Sequence, residues 1–479
     1  MFDLALKPGL HHRLMVLALI GLWPTTASAA EPTAGDALVA MKRAATYYRA
    51  RVATHGGYVY YYSLDLSQRW GEGVATADQI WVQPPGTPTV GLAFLAAWHA
   101  TGDAFYLEAA TEAARALAYG QLKSGGWTNV IDFDPRGTRV ADYRNGKGRG
   151  KNNSTFDDGI SQGALTLLMR VDQALEFKDG EIHNAAQTAL DAVLAAQFAN
   201  GAFPQVWTGP AESRPVVKAA YPDYDWRTEN RIKEYWDHYT LNDGLTGHVA
   251  DMLIAAHEIY GDDRTLAALR KLGEFLILAQ MPQPQPAWAQ QYDAEMRPIW
   301  ARRFEPPAVT GHESQDAIDT LMKIARKTND RKYLAPIPRA LAYLKESRLS
   351  DGRLARYYEL RTNKPLYMTQ DYQLTYNGSH APKHYGWKVE SHLDRLESEY
   401  KAFGSGQASS SSAGKKPSAG KVAGLLRSLD EEGRWISTPD GKPLVGQPRM
   451  PAGERYLSSE VFSRNLTMLS AYVSQPADD

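Results

Sequence analysis

Apolar residues return every three or four positions over residues 36–53, 89–101, 104–122, 159–176, 183–199, 244–259, 263–279, 314–328 and 331–346. That is the period of helices with one buried face, and alternating runs of strand type are rare. The helices fall in consecutive pairs, and two sets of turn sequences punctuate them. One set follows helix ends: Gln121 leads into Gly125-Gly126-Trp127, Gln197 into Asn200-Gly201-Ala202-Phe203-Pro204, Gln280 into a proline-rich turn and Trp288, and Ser347 into Asp351-Gly352-Arg353. The other set opens helices: Thr155-Phe156-Asp157-Asp158-Gly159, Thr240-Leu241-Asn242-Asp243-Gly244 and Thr310-Gly311-His312-Glu313-Ser314 each precede an apolar run. A helix pair of this kind cannot bury its apolar face alone. Stacking the pairs around an axis predicts an all-α fold, an α/α toroid or incomplete α/α barrel, with few short strands and with long loops forming a cleft. An open solenoid would need shorter, more regular repeats.

The ends of the chain read differently from its middle. Lys7, His11, His12 and Arg13 precede an apolar stretch from Leu14 to Trp23, and Ala27-Ser28-Ala29 follows with small residues at cleavage-site spacing. Residues 1–29 are therefore expected to be a signal peptide, cleaved after Ala29, which makes the mature chain secreted or periplasmic. The apolar stretch is short for a bilayer and no later segment is apolar enough, so no membrane association is expected after cleavage. The toroid is expected over 30–402. Phe403 to Lys421, rich in Gly, Ser, Ala and Lys, reads as a flexible linker, and 422–479 as a C-terminal segment packing on the main domain. Removing linker and tail together is expected to leave a folded ring.

Composition narrows the chemistry. With 53 Lys and Arg against 54 Asp and Glu, the formal charge of -1 offers no global attraction to nucleic acid or anionic lipid. The absence of cysteine excludes disulfides, thiolate metal sites and thiol nucleophiles. A monomer is expected. Aromatic residues are plentiful, and Trp127, Phe203, Trp207, Trp288, Trp300, Tyr357 and Tyr358 stand just past helix ends, where exposed rings in a shared cleft would suit sugars. Asp157, Asp158 and Asp243 stand at helix starts. There they would cap free N–H groups, supply oxygen ligands to Ca2+, or form the acid and base of an inverting glycoside hydrolase. Arg136, Arg139, Arg144, Lys147, Arg149 and Lys151 form a basic run that reads by default as a solvated loop, while Arg302, Arg303, Arg353, Arg356, Arg361 and Lys364 cluster near helix ends. An acidic sugar is the ligand class these features share. The His380 to His384 pair lacks the glutamate of a zinc protease and contains Pro382.

Several segments then match in order. Ser154-Thr155-Phe156-Asp157-Asp158-Gly159, Asn200-Gly201-Ala202-Phe203-Pro204-Gln205, Tyr239-Thr240-Leu241-Asn242-Asp243, Trp288-Ala289-Gln290-Gln291-Tyr292-Asp293, Ala301-Arg302-Arg303-Phe304-Glu305-Pro306-Pro307, Ala355-Arg356-Tyr357-Tyr358-Glu359-Leu360 and Thr362-Asn363-Lys364-Pro365 resemble the helical pectate lyases of polysaccharide lyase family ten. The resemblance runs from about residue 120 to 375. It implies an α/α toroid that cleaves polygalacturonate by β-elimination with Ca2+, giving unsaturated oligogalacturonides. It further implies that Asp157 and Asp243 lie near the ion, that Arg302 is the catalytic base and that Arg356 binds a substrate carboxylate, with Lys364, Arg303 and Trp288 completing the substrate set. Arg303 is the alternative match for Arg302, and internal alignment of the helix-start sequences pairs Asp158, not Asp157, with Asp243. Two departures stand out: Gln370-Asp371-Tyr372 replaces an expected arginine-containing turn, and Thr208 to Trp236 reads as an insertion. The alternatives are an α/α hydrolase acting on an acidic glycan and a non-catalytic polyuronate-binding protein.

Overall fold

Between paired helices the chain reverses by one recurring device. Gly102, Gly261 and Asn329 each take a left-handed conformation at the end of one helix. Just beyond, Asp103, Asp262 and Asp330 accept hydrogen bonds from the first backbone N–H groups of the next helical turn. The computed structural model describes residues 31–228, 233–404, 416–439, 444 and 453–474. Among these residues the helices are α1 (Ala34–Tyr47), α2 (Thr87–Thr101), α3 (Ala104–Tyr119), α4 (Ile160–Ala174), α5 (Gly180–Ala195), α6 (Leu245–Tyr260), α7 (Asp263–Ala279), α8 (Gly311–Thr328), α9 (Ile337–Glu346), α10 (Leu393–Gly404), α11 (Ala419–Ser428) and α12 (Ser459–Val473).

The helices form two layers of an incomplete α/α toroid. The inner layer runs α12, α2, α4, α6, α8, each packed on the next; α1, α3, α5, α7 and α9 back it from outside, and α10 packs on α8 and α9 at the far end. Every inner helix follows a short strand, and that strand pairs antiparallel with a strand that comes after the outer helix of the same unit. Gln79–Trp81 before α2 pairs with Val130–Asp132, Ser154–Thr155 before α4 with Val206–Trp207, Tyr239–Thr240 before α6 with Gln291–Tyr292, and Ala308–Thr310 before α8 with Tyr357–Glu359. These two- and three-residue ladders pin the loops to one end of the ring, where the inner helices begin.

A glutamine just after each of α3, α5 and α7 joins that outer helix to the next. The Gln121 side-chain amide donates to Gly125 O at 2.8 Å and to Ala185 O in α5 at 2.9 Å. Gln197 donates to Gly201 O and to Ala268 O in α7, and Gln280 to Pro286 O and to Pro336 O just before α9. Gly125 and Gly201 both stand at φ 94°, a left-handed conformation that the tight turn requires. The helix-end sequences are thus the fastening of the repeat.

Two expectations about the C-terminal part need correction. The toroid does not end at 402, because α12 is the inner partner of α1: Phe462 stacks on Tyr48 with ring centroids 3.8 Å apart, and Leu466 and Leu469 are fully buried. The strand before it, Tyr456–Ser458, pairs with Tyr61–Ser63 after α1, completing the same unit from opposite ends of the chain. The segment expected as a linker, 403–421, meets helix at both ends, in α10 and in α11, whose first turn Ser418 caps; residues 405–415 lie outside the described residues, as does the expected signal peptide. No helix among the described residues is long and apolar enough to cross a membrane.

Candidate active site

The starts of α4 and α6 carry one local structure twice. Asp158 (φ 46°, ψ 27°) and Asp243 (φ 53°, ψ 36°) are left-handed, and Gly159 and Gly244 after them are left-handed as well. The bend pairs Asp158 with Asp243 and Asp157 with Asn242. A side-chain-bearing residue in this region is unusual, and its recurrence at two carboxylates points to what they do together. One oxygen from each of Asp157, Asp158 and Asp243 lies within 4.8 Å of the others.

Amide side chains hold each carboxylate from the side. Gln205 donates to Asp157 Oδ1 at 2.8 Å, Gln83 to Asp158 Oδ2 at 2.8 Å, and Asn242 to Asp243 Oδ2 at 2.6 Å. Gln83 also donates to Glu72 Oε1 at 3.0 Å. The resulting crowd of negative charge is visible in the titration of its members. Desolvation, then the Asp158 and Asp157 charges, push Asp243 well above the carboxylate range, with Arg356 opposing. Desolvation, Asp157 and Glu72 push Asp158 up to about 6, and desolvation also raises Asp157 against the pull of Gln205 and Arg302.

Two arginines face this group, each set by a buried glutamate. Arg302 forks onto Glu305, with Nη2 2.6 Å from Oε1 and Nε 2.9 Å from Oε2. Burial works against the Arg302 charge, but Glu305 outweighs it and holds the guanidinium above its ordinary range; conversely Arg302 keeps the buried Glu305 carboxyl below its own. Arg356 Nη2 lies 3.6 Å from Glu313 Oε1 and 3.9 Å from Asp243 Oδ1. Glu313 is completely buried and neither of its oxygens has a hydrogen-bond partner among the described residues, so Arg356 is its counter-charge. Tyr385 ties the two arginines together: its hydroxyl donates to Glu305 Oε1 at 3.0 Å, and its ring lies 4.6 Å from the Arg356 guanidinium and 5.9 Å from that of Arg302. Tyr357 extends this chain from Tyr385 to Gln290.

Of the residues expected from sequence, Asp157, Asp243, Arg302 and Arg356 thus come together, and Asp158 joins them. The others do not. Arg303 is exposed, 5.3 Å from the Tyr372 ring, where its charge adds to the Thr369 hydrogen bond that mainly lowers the Asp371 carboxyl. Lys364 is exposed over the Tyr376 ring, and Tyr376 in turn donates to Glu359, an acid that also anchors Arg227 of the 208–236 segment. Trp288 is 0% exposed and its indole donates to Leu276 O at 2.8 Å, so no sugar reaches it. Trp127 repeats the arrangement on Leu117 O. The remaining helix-end aromatics, Phe203, Trp207, Trp300, Tyr357 and Tyr358, are buried as well, which overturns the reading of this set as a sugar-stacking face. Glu305 and Glu313 lie inside sequence segments already singled out, and Glu313 occupies in the α8 turn a place close to that of Asp243 in the α6 turn. Nothing in the sequence marks Tyr385, Gln83 or Glu72.

A family model described as Pectic acid lyase matches residues 121–355. No curated protein matches the chain. Among solved structures, a mutant of the Family 10 polysaccharide lyase from Cellvibrio cellulosa in complex with trigalacturonic acid is similar at 18% identity over 62% of this chain and 92% of that one, with a TM-score of 0.46. Cellobiose 2-epimerase from Bacillus thermoamylovorans is similar at 13% identity over 92% of this chain and 98% of that one, with a TM-score of 0.48.

Proposed function

Because the chain belongs, through residues 121–355, to the pectic acid lyase family, we propose that this polysaccharide lyase is an exported enzyme that cleaves polygalacturonate by Ca2+-assisted β-elimination. The observation that carries the reading is the convergence of Asp157, Asp158 and Asp243 within 4.8 Å, faced by Arg302 and Arg356. The donor set is all oxygen, and its mutual repulsion is only partly offset by Arg356 at 3.9 Å, which fits a hard divalent cation. Asp157, Asp158 and Asp243 would hold it. Bound there, Ca2+ would supply positive charge to a substrate carboxylate and so acidify the adjacent C5.

In β-elimination the C5 proton leaves to a base, the C5 electron pair forms the C4–C5 double bond, and the C4–O bond breaks toward the departing sugar. Arg356, fixed by Glu313 and stacked on Tyr385, offers a guanidinium to a substrate carboxylate through paired hydrogen bonds. Arg302 faces the charge that develops at the reacting carbon. Its pair with Glu305 favours the charged guanidinium at rest. In this reading Arg302 acts first as a cation, and it could take the C5 proton only after giving up one of its own, a loss that the Glu305 pair opposes. The expected signal peptide and an exported polysaccharide-cleaving role support one another.

A second reading, hydrolysis of an acidic glycan, is favoured by Asp158 alone, whose carboxyl at about 6 suits a general acid. Incubation with polygalacturonate followed by product mass and ultraviolet absorbance separates the two. Absorbing, unsaturated products formed only with Ca2+ are expected; saturated products carrying added water would select the hydrolase, and full activity in chelator would remove the metal from the mechanism.

A further inference from the structure

Beside the carboxylates opens a cavity of about 630 Å3, lined by Glu72, Trp81, Asn129, Thr138, Arg139 and Lys151 among others. That size lies within the roughly 300–1,000 Å3 of small-molecule sites. Its rim is continuous with the cleft, because Gln83, which donates to Glu72 on the cavity wall, donates with the same amide nitrogen to Asp158. Some cations of this region already have polar partners. Lys123 pairs with Asp142 at 2.9 Å, Arg136 with Asp134 at 3.7 Å, and Arg144 is engaged by Gln121 and Asn184. Arg139 and Lys151, the two that line the cavity, make no ion pair among the described residues. The Arg139 guanidinium instead stands 5.1 Å from the Trp81 ring. The Arg139 guanidinium, the Lys151 ammonium and the polar side chains of Asn129 and Thr138 line one volume, with the Glu72 carboxylate held at its edge by Gln83.

We propose that this cavity is a distal subsite for a carboxylate-bearing sugar of the same chain that is cut at the aspartate cluster, with Arg139 and Lys151 holding the carboxylate; the identity of the sugar rests on the reading of the protein as a polyuronate lyase. The basic run 136–151, read by default as a solvated loop, then has two members in the cleft. Trp81 and Glu72 come from outside the 121–355 segment, so this chain's N-terminal part supplies one wall of the subsite and the 121–355 segment supplies its cations. It takes up a sugar remote from the bond that breaks. Its contribution therefore grows with substrate length and leaves the shortest cleavable oligomer unaffected.

The test uses the full-length protein and an Arg139→Ala/Lys151→Ala variant; both side chains are exposed, so folding should be unaffected. Equilibrium binding of saturated oligogalacturonides from dimer to hexamer is measured by calorimetry in chelator, alongside product analysis with Ca2+. The parent is expected to bind the longest oligomers at least tenfold more tightly than the variant, with the two indistinguishable on the dimer. Equal binding of every length by parent and variant, or no binding of any length by the parent, would overturn the subsite. Loss of the length increment in the variant, from a parent that releases no unsaturated product, would uphold the subsite and sink the lyase reading. Unsaturated products together with equal binding would do the opposite.

Discussion

Arg302 and Glu305 face each other across two parallel hydrogen bonds of 2.6 and 2.9 Å, with the glutamate buried and the arginine half-open to the cleft. Removing the arginine therefore does two things at once. Arg302→Ala is expected to abolish most turnover and also to lower stability by roughly 1–3 kcal/mol, because a buried carboxylate loses its partner. The double variant Arg302→Ala/Glu305→Gln should regain much of the urea midpoint without regaining activity. Recovery of activity in the double variant would show that Arg302 only shields Glu305. Arg302→Lys, which keeps charge but not the fork, should remain largely inactive.

Arg356→Ala is expected to act mainly on substrate binding, raising KM at least tenfold with a smaller change in kcat, since a paired hydrogen bond to a charged group is worth roughly 1.5–3 kcal/mol. Initial rates across polygalacturonate concentrations provide the check; a pure kcat effect would contradict the assignment.

The aspartate cluster gives stability a pH dependence with a definite sign. Asp157, Asp158 and Asp243 all titrate above their ordinary range, Asp158 at about 6. The folded protein thus binds protons that the unfolded chain has released, and the cluster's contribution falls as pH rises from the usual carboxylate range through about 6. Without divalent cation, Asp158→Asn should be more stable than the parent at pH 7.5 and little different at pH 4. Adding Ca2+ at pH 7.5 should raise the parent's Tm and leave the variant's nearly unchanged. Melting curves at the two pH values with and without Ca2+ decide it.

Gln121 tests the repeat away from the site. Its amide serves Gly125 O and Ala185 O in a fully buried setting. Gln121→Ala should cost roughly 1–3 kcal/mol by urea unfolding, through the loss of two buried hydrogen bonds, while kcat stays at the parent value.

The expectation that the tail is dispensable reverses once α12 is seen to be an inner helix. A chain ending at residue 458 should be insoluble or unfolded, and Phe462→Ala, which removes a ring stacked on Tyr48 and edge-on to Phe94, should cost roughly 3–5 kcal/mol. Circular dichroism melts of both would show it.

Legibility from sequence followed the range of the interactions concerned. Helical period and paired turns revealed the toroid because both are local. Asp157, Asp243, Arg302 and Arg356 were legible because each stands in a segment whose order along the chain matched a known pattern. Trp288 was misread because an aromatic after a helix end looks the same in sequence whether it faces sugar or plugs the repeat; only its bond to Leu276 O tells them apart. Tyr385 left no trace, since its role depends on touching Glu305, eighty residues away. The place of α12 was hidden for the same reason, as its partner α1 lies at the other end of the chain.

That last pairing also governs timing. Tyr472 donates its hydroxyl to Pro32 O at 2.6 Å, so the two ends of the folded protein are stitched side by side. Until residues 459–473 have been made, α1 has no inner partner and α2 is packed by an inner helix on its α4 side alone, so the slot that Phe462 fills stays open. The α1 end of the toroid is therefore finished by a segment made more than 400 residues after it, and not by the growing front. A break and rejoining of the backbone at the ends would convert α12 and α1 into an ordinary consecutive hairpin, leaving the architecture intact while letting it assemble in order from its first residue.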